Sequence, residues 1–130
     1  MPVVLKIDRQ RKVVYSAFYG KTTDREVADH RAAIAGDPDF NPAFSEIVDF
    51  TGVTEAALSE ASLTAMAKNP SLFEDSAVHI IVAPADLMFN LASKYKAFTR
   101  LSRPNLFVVR TRAEAYQLLP GSEGRSENGE

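Results

Sequence analysis

The sequence predicts one α/β domain on a mostly parallel five-stranded sheet, in the order β-β-α-β-α-β-α-β-α. Three observations carry this reading. Runs of β-branched and aromatic residues alternate with capped segments of helical periodicity, which implies right-handed crossovers between parallel strands. Two such runs at the start, Val3-Val4-Leu5-Lys6-Ile7 and Lys12-Val13-Val14-Tyr15-Ser16-Ala17-Phe18-Tyr19, are separated only by the polar Asp8-Arg9-Gln10-Arg11, so the first strand should be antiparallel to the second. The most strand-like run, Val78-His79-Ile80-Ile81-Val82-Ala83, leads straight into Pro84-Ala85-Asp86, which supplies the fixed φ and negative charge favoured at a helix start.

Gly20 is read as the end of the second strand, and Thr23-Asp24-Arg25-Glu26 has the capping-box spacing that satisfies two free amides. The helix that follows carries Val27, Ala28, Arg31, Ile34 and Ala35 at helical spacing and is expected to stop at Gly36 in a left-handed cap. After the turn-rich Asp37-Pro38-Asp39-Phe40-Asn41-Pro42, Glu46-Ile47-Val48-Asp49-Phe50 reads as a short buried strand closed by Thr51-Gly52. Ser59 caps a second helix, with Leu58 and Leu63 spaced as a hydrophobic staple, and Pro70 follows that helix. The third helix, expected to be the longest, places Leu87, Met88, Leu91, Tyr95 and Phe98 on one stripe, with Lys94, Lys96, Arg100 and Arg103 toward its C-terminal end. Leu106-Phe107-Val108-Val109-Arg110 is the fifth strand, and Thr111-Arg112-Ala113-Glu114 repeats the capping box before Pro120-Gly121 ends the last helix.

The chain has 130 residues, 45% hydrophobic and 25% charged, which suits one core and not two. Residues 1–120 are assigned to the domain and 121–130, which hold only Gly, Ser, Glu, Arg and Asn, to a disordered tail. The formal charge of -2 comes with Lys and Arg spread along the chain, so nucleic acid is not expected as a partner. The absence of cysteine rules out disulfides, thiolate metal sites and thiol nucleophiles and fits a cytoplasmic location. Neither a leader segment nor a run of roughly 18 apolar residues is present, so no membrane span is expected.

The order of elements, with Asp49-Phe50-Thr51-Gly52-Val53-Thr54 running into a helix capped near Ser59, resembles STAS domains over about residues 3–119. The 31–44 stretch with Asp37-Pro38-Asp39-Phe40, and Ala83-Pro84-Ala85-Asp86-Leu87, is similar to the SpoIIAA-like (STAS-like) family of bacteria. The resemblance implies a noncatalytic, regulatory protein-interaction module acting through the loop between the third strand and second helix. It brings Ser59 to the position of a phosphate-accepting serine. Ala57-Leu58-Ser59-Glu60 departs from that motif by lacking its acidic residue and glycine, and a phosphate there would meet Glu60 and Glu55. Ser59 is therefore read first as a neutral N-cap, with phosphate acceptance as the alternative.

Little in the residues points to catalysis. His30 is read as solvated and His79 as a core or rim residue, and neither lies in a metal or nucleophile motif. The single glycines Gly20, Gly36 and Gly52 form no phosphate loop. No metal or cofactor is expected. Asp49, Thr51 and Thr54 occupy the strand exit where open α/β sheets place functional groups, though turn capping explains them as well. Asp86 could adjoin Asp49 as a carboxylate pair. Leu87-Met88-Phe89 cannot all face the core, so Met88 or Phe89 could line a ligand pocket or a protein contact. The rival to the docking module is accordingly a carrier or sensor of a small apolar, lipid-like ligand, which demands a cavity of roughly 300 Å³ or more. An enzyme ranks last. A homodimer would cover exposed apolar surface.

Overall fold

Residues 3–121 are described in a computed structural model. They form β1 (Val3–Asp8), β2 (Val13–Thr23), α1 (Asp24–Gly36), β3 (Ser45–Ala57), α2 (Glu60–Lys68), β4 (His79–Val82), α3 (Asp86–Phe98), β5 (Leu106–Val109) and α4 (Arg112–Leu118). The predicted order and the mixed sheet are both present, with β1 antiparallel to β2 and every later pair parallel. Apart from Gly121, the segment read as a tail lies outside the described residues.

The strands lie in chain order, β1-β2-β3-β4-β5. Each crossover from β2 to β5 steps the same way, so right-handed connections carry α1, α2 and α3 over one face and leave α4 for the other. The core divides accordingly. On the α4 face Val13, Ile47, Ile80 and Val82 pack against Ala115 and Leu119. Opposite, Val14 meets Ile34 of α1, while Ile81 and Leu106 meet Met88 and Ala92 of α3.

Both capping boxes form as the spacing predicts. Glu26 Oε1 accepts from the Thr23 N–H at 2.8 Å, and Thr111 and Glu114 exchange side-chain to backbone bonds at 3.2 and 3.1 Å. Ser59 accepts from the Ser62 N–H at 3.1 Å as the N-cap of α2.

Four expectations are corrected. β3 does not stop at Thr51-Gly52 but continues to Ala57, because β2 itself runs on to Thr23 and pairs with it to that end across two register shifts. Gly20 does not end β2; it sits at φ +68 beside a register shift, a bulge that glycine tolerates without strain. Gly36 is the last residue of α1 and not a left-handed cap, since Asp37 follows in extended conformation. α3 matches α1 at 13 residues, and it ends at Phe98, leaving Arg100 and Arg103 beyond it. Phe98 and Leu87 are exposed, so the buried stripe of α3 narrows to Met88, Leu91, Ala92 and Tyr95.

Candidate functional site

α1 rests on β1 and β2, whereas α2 rests on α3, which in turn packs over β3 and β5. Between these two groups the face of β3 is left thinly covered. Val48 and Phe50 are only half-buried although their strand is the middle one of five, where a parallel sheet ordinarily buries both faces. The gap above them is an apolar-lined cavity of about 490 Å³.

Its floor is Phe18, Val48, Phe50 and Ile81; α1 forms one wall with Val27, His30, Arg31 and Ile34. The other wall is Met88, Leu91 and Tyr95 of α3, and α2 covers it with Leu63 and Met66. Two latches join its sides. Ser59 Oγ lies 2.6 Å from Ser62 Oγ, which donates to Asp24 Oδ2 at 2.5 Å, linking α2 to the first turn of α1. Arg31 Nη2 donates to the Pro70 carbonyl at 2.8 Å.

Polar groups gather within this apolar surround. His30 Nε2 lies 2.6 Å from Oγ of the fully buried Ser16, and the His30 ring meets Phe18 edge-on. Burial holds the His30 pKa below its ordinary 6.5, against a smaller opposing pull from Glu46, so the ring is neutral at pH 7. His30 is thus not the solvated surface histidine that the sequence suggests. His79, buried as a core residue as predicted, places Nδ1 2.9 Å from Glu46 Oε1 and its ring edge-on to Phe73. The Tyr95 phenol is raised mainly by burial, with Arg103, Glu46 and Arg31 all acting on it electrostatically, so these four share one end of the cavity.

Ser16 and His30 form the hydroxyl–imidazole contact that the sequence did not bring together, being 14 positions apart on β2 and α1. With Ser16 at 0% exposure its hydroxyl has no room for an attacked group, and it orients the ring instead.

The strand-exit candidates fall on the other side of the sheet. Asp49 is 1% exposed, and all of its capacity is taken: Oδ1 accepts from Thr51 N–H and Oγ1, and Oδ2 from Tyr15 at 2.6 Å and Arg112 at 2.5 Å. Burial would raise its pKa, but these bonds outweigh that and hold it below the usual carboxylate range. Burial, together with the same contact, pushes Tyr15 up to about 12. Asp49 thus fastens α4 to β2 and β3 and is not part of an open rim. The proposed Asp49–Asp86 pair does not form, because each carboxylate has its own arginine: Asp86 binds Arg110 at 2.6 Å. Thr51 and Thr54 are exposed residues within β3. Met88 is buried in the cavity wall, and Phe89 is half-buried beneath the Arg110 guanidinium, 3.9 Å from its ring centre. Among the described residues no group of three potential ligands could hold a metal ion, and no helix is long and apolar enough to cross a membrane.

The missed cavity residues left one trace in the sequence: Arg31 lies within the apolar stripe of α1, where a charge needs a reason. Set beside known proteins, the chain matches no family model, and no curated protein is significantly similar to it.

Proposed function

We propose that this domain binds a small, predominantly apolar ligand between α1 and the α2–α3 pair. The observation that carries the reading is the cavity of about 490 Å³ over the half-buried Val48 and Phe50. It lies within the ~300–1,000 Å³ range of sites that enclose drug-sized ligands and exceeds the volume such a ligand demands. The cavity is half open to solvent and lined mostly by apolar side chains, so a bound apolar ligand would remove that surface from water. The test is to fill the floor. Val48→Trp should abolish binding of the neutral dye Nile red, weakening it at least tenfold in fluorescence titration, while circular dichroism stays unchanged. Retention of dye binding by a folded Val48→Trp protein would remove the cavity as the site.

A second reading, the regulatory docking module that the STAS-like resemblance implies, is favoured by the place of Ser59. Its hydroxyl begins the Ser59–Ser62–Asp24 chain that ties α2 to α1 at the cavity rim. A phosphate there would face Asp24 and Glu60 and part the two helices by repulsion. Aspartate caps a helix as well as serine does. Ser59→Asp is therefore expected to keep its thermal stability yet release dye several-fold faster in stopped flow, whereas Ser59→Ala should lose about 1 kcal/mol of stability. Equal release rates in the two variants would exclude Ser59 as a switch.

A further inference from the structure

The polar end of the cavity carries more positive than negative charge, and its donors are incompletely used. Glu46 is held by His79 at 2.9 Å. Arg31 and Arg103 both line the cavity, and neither forms an ion pair among the described residues. They converge on one short stretch of backbone. Arg31 donates to Pro70 O, while Arg103 donates to Asn69 O at 3.1 Å and more weakly to Ala67 O at 3.5 Å. Two guanidiniums drawn to neighbouring carbonyls repel one another, and each has N–H groups left over, since a guanidinium offers five.

Tyr95, on the α3 wall, adjoins Arg103. The Arg103 guanidinium lies 5.7 Å from its ring centre, and the hydroxyl of this half-buried tyrosine has no hydrogen-bond partner among the described residues. Burial keeps that hydroxyl protonated and able to donate. Beyond Tyr95 the lining turns apolar, through Leu91, Met66, Leu63, Phe50 and Met88.

Resting on the ligand-binding reading above, we infer that the cavity takes a single-chain amphiphile with an anionic head, of the fatty carboxylate class. The chain lies along Met66, Leu63, Phe50 and Met88, and the head accepts hydrogen bonds from Arg31, Arg103 and the Tyr95 hydroxyl. A planar carboxylate suits guanidinium donors, which bind it in a charge-assisted, often two-pronged manner. Glu46 does not compete for the head's place as long as His79 holds it.

The experiment compares three probes of equal chain length, dodecanoate, dodecan-1-ol and dodecylamine, as competitors of Nile red on the whole chain at pH 7. Dodecanoate is expected to bind at least tenfold more tightly than the alcohol, as one net charge-assisted hydrogen bond requires. Arg31→Gln should erase that preference by weakening dodecanoate at least tenfold more than it weakens dodecan-1-ol, and Arg31→Lys should restore part of it. Equal affinities for acid and alcohol in the unmodified protein would overturn the inference and leave the apolar cavity standing, and a preference for the amine would assign the head to Glu46 instead. Discrimination that survives in both Arg31→Gln and Arg103→Gln would overturn the assignment to these side chains. Binding of none of the three, nor of the dye, would remove the ligand-binding reading itself.

Discussion

Asp49→Ala is expected to cost about 3 kcal/mol. That value is the low end of the range for breaking a buried charge pair, and the reason lies in the partners. Arg112 is half exposed at its side chain and regains water when the carboxylate is removed, whereas Thr51 loses the acceptor of two bonds and α4 loses its tie to the sheet. Urea titration at pH 7 measures the difference. The pH dependence supplies a second readout. Because the folded protein holds Asp49 below its ordinary 3.8, the group binds protons less tightly when folded. Its contribution is complete above the unfolded pKa and is lost as pH falls through the folded one. Stability of the unmodified protein should therefore drop more steeply below about pH 4 than that of Asp49→Ala. Parallel acid limbs would mean that Asp49 is not ionised in the folded state.

Phe18→Ala should cost about 3–5 kcal/mol, as removal of a buried aromatic ring does when the surroundings relax only in part. Phe18 is 1% exposed and packs against both His30 and Phe50, each with ring centres 5.1 Å away. Unlike a deletion on the α4 face, this one opens directly into the space over β3. Thermal unfolding should therefore show the loss in the free protein and a partial recovery, of a kilocalorie or more, on saturation with a bulkier apolar ligand, since a ligand that binds only the folded state stabilises it by mass action. Ile47→Ala, buried against α4, is the control: it should gain no more stability from the bulkier ligand than the unmodified protein does. Equal recovery in both variants would show that Phe18 does not bound the site.

The architecture was legible in the sequence because its signals are local. A capping box such as Thr23-Asp24-Arg25-Glu26 marks a helix start from four residues, and Val78 through Ala83 marks a strand from six. The length of β3 was not legible, since Thr51-Gly52 has the look of a strand end. In the fold Gly52 is there for close approach: a Cβ would lie 2.4 Å from Cδ1 of Tyr19 and 3.1 Å from the Phe18 carbonyl. The site was not legible for a different reason. An apolar residue beneath a void reads the same as one beneath a packed helix, so Val48 and Phe50 gave no sign of what lies above them. Ser16 and His30, or Arg31 and Arg103, become neighbours only through the crossovers.

The order of the strands has one more consequence. In open α/β sheets ligands commonly settle outside the carboxyl ends of the strands, at the point where strand order reverses and successive connections diverge to opposite faces. A sheet laid down as β1-β2-β3-β4-β5 contains no such reversal among its parallel strands, so no crevice opens by topology alone. Room for a guest must then come from between the layers, by holding the covering helices apart over a central strand. If the proposed ligand site operates, its admission depends on how far the layers can separate, and the side-chain ties between α1 and α2 are then expected to govern how quickly a guest enters and leaves.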